Sequence, residues 1–141
     1  MTNAYKNLTE LHEKQREDIP SFFAYTDRDI EEGMAKLGLS VTDTDKVLDT
    51  RTYGCIRKSD SKTLSNLLTK QFREIQDEIR KDTTGEGFIY DMFLYELGNH
   101  DYKATRDAKP AIEAAGFSFE EIEESKILSN AFLKARMKIV G

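Results

Sequence analysis

Hydrophobic residues recur at helical spacing along much of this chain, and the pattern predicts a mainly helical protein. The clearest case is a stripe of apolar positions three or four residues apart, opposite a charged face, which predicts a long amphipathic helix ending near residue 81. That stripe comprises Leu64, Leu68, Phe72, Ile75 and Ile79. Shorter patterns bounded by capping residues, proline or glycine predict further helices. They cover about residues 4–17, 27–37 and 107–115, and a last helix begins near residue 126.

The segment 88–99 has a different pattern, because apolar residues occupy most of its positions. Too little polar surface remains for a helix with one solvated face or for an alternating strand. We therefore predict a helix buried on nearly all sides at the centre of the core. A glycine-rich turn over 82–87 should precede it, and a connection over 102–106 should follow.

Two short stretches predict strands, because they are rich in residues that favour extended backbone and are bounded by turn residues. They are 22–25, Phe-Phe-Ala-Tyr, and 53–58, Tyr-Gly-Cys-Ile-Arg-Lys. Paired with each other they would form a small ribbon that helices must cover, and the pattern leaves the direction of pairing open. Between them, residues 40–52 are polar with one short apolar pair, Val47 and Leu48, and predict a connection that contains a brief helical turn.

Together these elements predict an α+β fold, mostly α: a single-domain helical bundle over residues 1–141 with a small two-stranded β ribbon. A chain of 141 residues can bury a continuous core without disulfides. No apolar run approaches the roughly 18 residues that a membrane span needs. The N-terminus has no signal-peptide pattern and Cys55 is the single cysteine, so we expect a cytoplasmic location.

Acidic residues outnumber basic ones by 26 to 21, which gives a formal net charge of −5 at pH 7. Direct binding to nucleic acid is therefore disfavoured, because it depends on clusters of lysine and arginine. Two acidic blocks stand out, one in the helix over 27–37 and one after a capping box formed by Ser118 and Glu121. An ordinary solvated surface also explains such charges. As a hypothesis we assign partner binding to both blocks: Asp27, Asp29, Glu31, Glu32, Glu120, Glu121, Glu123 and Glu124.

The tetrapeptide Gly98-Asn-His-Asp101 resembles a block of calcineurin-like metallophosphoesterases, in which the asparagine ligates a metal and the histidine positions the phosphate. That family also uses an upstream Asp-x-His block and further histidines, whereas this chain has two histidines in all. A hydrogen-bonded Glu–His pair at the end of the buried helix is therefore the preferred interpretation. We predict no enzymatic activity, no metal and no cofactor. A metal-dependent hydrolase remains a minor alternative, built on Glu96, Asn99, His100 and Asp101.

Four segments together resemble a family of small, uncharacterised proteins carried by Gram-positive bacteria and their phages. They are 22–25, 31–39, 53–58 and 95–102, and the likeness extends over about residues 20–125. In size and charge the chain is also similar to type II anti-CRISPR proteins. The resemblance implies a non-enzymatic mobile-element protein that inhibits a host nucleoprotein such as an RNA-guided nuclease. Its acidic residues would occupy a basic nucleic-acid channel and block DNA binding or cleavage.

A second interpretation is a cytoplasmic regulatory module that binds another protein through an apolar groove rather than through charge. Salt separates the two, because binding driven by exposed charges weakens as ionic strength rises, whereas apolar binding does not. Neither interpretation requires a membrane or direct sequence-specific contact with nucleic acid.

Overall fold

The structure is a computed structural model that describes residues 2–141, and within them it contains eight α-helices and one two-stranded sheet. The predicted class, α+β and mostly α with a small ribbon, is confirmed. Within residues 2–141 no helix is both long and apolar enough to cross a membrane. The strands are β1 Val47–Asp49 and β2 Cys55–Arg57. The helices are α1 Ala4–Arg16, α2 Asp27–Lys36, α3 Ser61–Lys81, α4 Phe88–Asn99, α5 Tyr102–Thr105, α6 Lys109–Ala114, α7 Phe119–Glu124 and α8 Lys126–Val140.

The chain forms two compact units. Unit 1 contains the residues up to Leu11 together with Arg73–Gly141, and unit 2 contains His12–Phe72. Because the divisions fall inside α1 and α3, each of these helices contributes residues to both units. That residues 1–141 behave as a single domain stays a prediction.

The apolar stripe of α3 serves two cores rather than one. Leu64 and Leu68 belong to the core of unit 2, whereas Ile75 and Ile79 pack against the core of unit 1. Phe72, which the pattern places on the same face, is instead 64% exposed, so this part of the prediction is wrong. Helical periodicity identifies a face, but it does not specify which residues along that face are covered.

Helix α4 lies at the centre of unit 1, as its composition predicts. It packs against α8 and α6, and its Met92, Phe93 and Leu97 are at most 1% exposed. The Phe93 ring meets Phe132 of α8 edge to face, with the ring centroids 5.3 Å apart. Each fully buried side chain of this size stabilises a core by roughly 1.5–3 kcal/mol. The contact with α8 is therefore a major source of stability in this unit.

Asp82 supplies the hydrogen-bond acceptor at the start of α4, where Gly87 offers no capping side chain. Its carboxylate accepts the backbone N–H of Gly85 at 3.0 Å, of Gly87 at 3.1 Å and of Ile89 at 2.9 Å. A charged acceptor there satisfies N–H groups that have no partner within the helix and interacts favourably with the helix dipole. The predicted turn over 82–87 is thereby held at the start of the buried helix.

The segment 102–106 was predicted to be a connection, yet residues 102–105 form the short helix α5. Tyr102 is buried, and Arg136 of α8 donates a hydrogen bond to its hydroxyl at 2.9 Å and lies over its ring. A single helical turn carries too little periodicity to be recognised from sequence. Tertiary contacts of one side chain hold it in place instead.

The predicted strand pairing in unit 2 was wrong. β2 pairs antiparallel with β1, so Val47 and Leu48 lie in a strand, and the brief helical turn predicted within residues 40–52 is the 3₁₀ turn Thr44–Lys46. Segment 22–25 contributes only an isolated bridge, in which Phe22 and Cys55 exchange N–H···O bonds of 3.1 and 2.7 Å. Closing the short loop between β1 and β2 costs less conformational entropy than closing the longer one back to 22–25, which favours the observed hairpin.

Phe22 also explains a glycine inside α2. That helix begins at a capping box formed by Thr26 and Asp29, and Gly38 follows its end with φ +74°. Gly33 faces the Phe22 ring so closely that a Cβ atom on Gly33 would overlap the ring carbons. Glycine ordinarily destabilises a helix interior, so the close ring accounts for its presence.

We expect Gly33→Ala to lower the free energy of unfolding by roughly 1–3 kcal/mol, because the added methyl group forces the Phe22 ring or α2 to shift. Urea unfolding followed by circular dichroism measures this change. Gly98→Ala is the matched control, since a Cβ on this glycine of α4 comes no closer than 3.9 Å to Ile139. That variant should be neutral or more stable by about 0.5–1 kcal/mol. Equal effects at the two glycines would contradict the proposed role of Phe22.

Candidate functional site

The first acidic block lies on α2 in unit 2, and two of its four carboxylates already form contacts within the fold. The Asp29 carboxylate completes the capping box of α2, and Glu32 pairs with Arg28 at 2.9 Å. Asp27 and Glu31 are exposed and have no hydrogen-bonded or ionic side-chain partner within residues 2–141. These two carboxylates are therefore the members of the block that can meet a partner without breaking a contact of the fold.

The second block lies on α7 in unit 1. Glu121 accepts the backbone N–H of Ser118 at 3.0 Å, which confirms the predicted capping box. Glu120, Glu123 and Glu124 are exposed, and their carboxylates have no partner in the described part of the chain. Three of the eight predicted site residues thus have structural contacts and five carry free carboxylates.

A pair of exposed aromatic rings precedes α2, and the sequence analysis missed it. Phe23 and Tyr25 stack with centroids 6.5 Å apart and planes inclined by 12°, although they are 50% and 85% exposed. The backbone at Tyr25 is held in place, because the Asp29 carboxylate accepts the N–H of Tyr25 and of Thr26. Rigid aromatic rings of this kind contribute most of the binding energy at many protein interfaces. The aromatic run 22–25 was the available signal, because successive side chains of an extended segment point to opposite sides, which places Phe23 and Tyr25 on the same side.

A groove of about 270 Å³ opens in unit 2, and Phe23 forms part of its wall. Its floor consists of Ile19, Ile56 and Leu64, which also form one buried hydrophobic cluster of this unit. We name this cavity the aromatic groove. Its remaining lining residues are Glu13, Arg16, Glu17, Ser21, Thr52 and Tyr53.

Arg16 is the one cation that lines the aromatic groove within the described residues, and it already has partners. Its guanidinium lies over the Tyr53 ring, 5.1 Å from the centroid, and its Nη1 donates to Gln71 Oε1 at 2.8 Å. The buried Gln71 amide donates in turn to the His12 carbonyl at 3.0 Å. These contacts hold Arg16 as part of the wall.

The predicted Glu96–His100 pair forms at the end of α4. Glu96 is 6% exposed and accepts a hydrogen bond from the Tyr5 hydroxyl, and its Oε2 lies 3.7 Å from His100 Nε2. Burial raises the pKa of Glu96, and His100 and Tyr5 oppose that effect in part. Asn99 and Asp101 are exposed. Among residues 2–141, no three His, Cys, Asp or Glu side chains lie close enough together to hold a metal ion.

A family of unknown function, DUF7659, matches residues 4–138. The chain belongs to the DUF7659 family. The match includes both compact units, both acidic blocks and every residue that lines the aromatic groove. No curated protein and no solved structure matches the chain.

In this DUF7659 chain, Glu96→Gln should change how stability depends on pH. Because burial raises the pKa of Glu96, the folded state favours the protonated carboxyl. The stability linked to that proton is present below the ordinary pKa of 4.5 and is lost as the pH rises through the raised pKa. The variant keeps the shape of the side chain but cannot titrate. Its free energy of unfolding relative to the native chain should therefore increase from pH about 4 to about 8.

Urea unfolding at several pH values tests this expectation. Glu113→Gln provides the control, because Glu113 is an exposed residue of α6 in the same unit whose carboxylate lies 3.9 Å from Lys109. An exposed pair contributes little, so that variant should follow the native pH profile. Parallel profiles for Glu96→Gln and the native chain would show that burial does not govern the protonation of Glu96.

Proposed function

We propose that this chain is a non-enzymatic, cytoplasmic binding protein that docks onto a partner with a basic surface. The observation that carries this proposal is the group of free, exposed carboxylates on α2 and α7. Negative side chains that form no internal pair attract a basic surface over a distance and suppress binding to acidic ones. The stacked rings of Phe23 and Tyr25 precede the free carboxylate of Asp27 and add apolar contact area.

In its most concrete form, the proposal is that the chain belongs to a mobile genetic element and inhibits a host RNA-guided nuclease. Such a nuclease holds its guide and target in a positively charged channel that recognises backbone charge. A protein with net charge −5 and spaced carboxylates is suited to occupy that channel and exclude DNA. Both the acidity and the sequence resemblance to phage-carried proteins support this form.

A second candidate is a regulatory module that binds another protein mainly through apolar contacts. The exposure of Tyr25 favours it, because an aromatic ring that is 85% exposed and held by stacking has the character of an interface anchor. In this case Tyr25→Ala would weaken binding strongly, and salt would have little effect.

Titration of the protein into DNA cleavage by a purified type II RNA-guided nuclease, at low and high salt, tests the leading proposal. We expect inhibition that weakens at high salt, as screening of exposed charges requires. The double variant Asp27→Lys with Glu31→Lys should raise the inhibitory concentration at least about 10-fold, equivalent to about 1.4 kcal/mol. The double variant Glu123→Lys with Glu124→Lys applies the same test to α7.

The matched control is Asp45→Lys with Glu113→Lys, which changes the net charge equally at exposed positions outside both blocks. It should inhibit like the native chain. Inhibition that survives both charge reversals would refute acidic docking. Absence of inhibition by the native chain across several nucleases would refute this partner, and a host-lysate pull-down comparing native chain with Tyr25→Ala would then test the apolar candidate.

A further inference from the structure

We infer that the aromatic groove of unit 2 binds one basic side chain, arginine or lysine, presented by a partner peptide. The inference deepens the proposed function and rests on it, because it specifies which group of a basic partner is recognised.

The apolar part of the aromatic groove suits the aliphatic stem of such a side chain. Ile19, Ile56 and Leu64 provide the floor, and the rings of Phe23 and Tyr53 stand in the wall. Arginine and lysine bury their methylene stems against apolar surface while their charged ends stay near water. An aromatic face also attracts a cation through its quadrupole.

The acidic part of the groove determines the charge of the occupant. Glu13 lies in the last turn of α1 and Glu17 directly follows that helix, and the Glu17 N–H donates to the Glu13 carbonyl at 3.1 Å, so both residues line the same side of the groove. Both are exposed, and neither carboxylate has a partner within residues 2–141. The Arg16 guanidinium contacts the Tyr53 ring and Gln71 rather than either carboxylate, and against its single positive charge the two carboxylates leave the lining net negative. Two free carboxylates thus remain to accept hydrogen bonds from a bound cation.

Other side chains fit this lining less well. An acidic side chain would meet the like charges of Glu13 and Glu17. A purely apolar side chain would fill the floor but would displace water from two carboxylates without replacing the lost hydrogen bonds. A basic side chain places its methylene stem against the apolar floor and its charged end beside the carboxylates of Glu13 and Glu17. A cavity of about 270 Å³ is also of a size for one long side chain rather than for a folded element.

A nuclear magnetic resonance titration of the full-length ¹⁵N-labelled chain tests the inference. The probe is the blocked pentapeptide acetyl-Gly-Ser-Arg-Ser-Gly-amide at millimolar concentration, compared with the peptide in which neutral citrulline replaces arginine. We expect chemical-shift changes centred on residues 13–23 and 52–56, and binding of the citrulline peptide at least about 10-fold weaker, because charge-assisted hydrogen bonds are lost.

Glu13→Gln with Glu17→Gln should weaken binding of the arginine peptide about 10-fold while preserving the rest of the spectrum, which verifies folding. Asp45→Asn with Glu113→Gln removes the same charge at exposed positions outside the groove and outside both acidic blocks, and should leave the affinity unchanged. The inference fails if the citrulline peptide binds equally well, if shifts spread equally to α7, or if no residue of the groove responds.

These outcomes are separable from those of the proposed function, because the peptide titration contains no nuclease. Peptide binding in the groove without nuclease inhibition would refute the proposed partner but retain the inference. Inhibition that is insensitive to Glu13→Gln with Glu17→Gln, together with no peptide binding, would refute the inference but retain the proposed function.

Discussion

The core of unit 1 depends on covering α4, a helix whose sequence leaves almost no face for water to solvate. Burial on all sides requires neighbours on all sides, and α6 and α8 supply much of that cover. The same constraint explains Asp82, since the first turn of a buried helix needs an acceptor for its N–H groups. It also explains why Glu96 has internal partners, because its carboxylate is buried together with α4. That carboxylate accepts a hydrogen bond from the Tyr5 hydroxyl and pairs with His100.

Unit 2 differs from unit 1, because it has far fewer buried hydrophobic residues. Five of its hydrophobic residues are buried, and three of them, Ile19, Ile56 and Leu64, form a cluster with partly buried neighbours around it. A ribbon this short is marginal alone and needs cover from other elements. So small a core lies close to the surface, and the aromatic groove opens directly onto it. The aromatic groove, a candidate binding site, thus lies directly over this small cluster.

Sequence reasoning found the acidic residues but not their different roles. Asp29 and Glu121 were correctly placed near helix starts, and their carboxylates are used by capping boxes there. Local spacing predicts such boxes, because both partners lie within three residues of each other. The aromatic groove was not predicted, because its lining comes from α1, the segment before α2, the β2 region and α3. No local pattern connects residues that are so far apart along the chain.

The sequence by itself determined the α+β class, the burial of α4 and the capping of α2 and α7. Each of these depends on interactions within a few residues or on the overall polarity of one segment, which periodicity and composition report directly. The tertiary structure alone decided that β2 pairs with β1, that Phe72 is exposed and that Tyr102 is buried in a short helix. These outcomes depend on competition between contacts distant in sequence. Such competition is resolved by packing and loop closure rather than by any single segment.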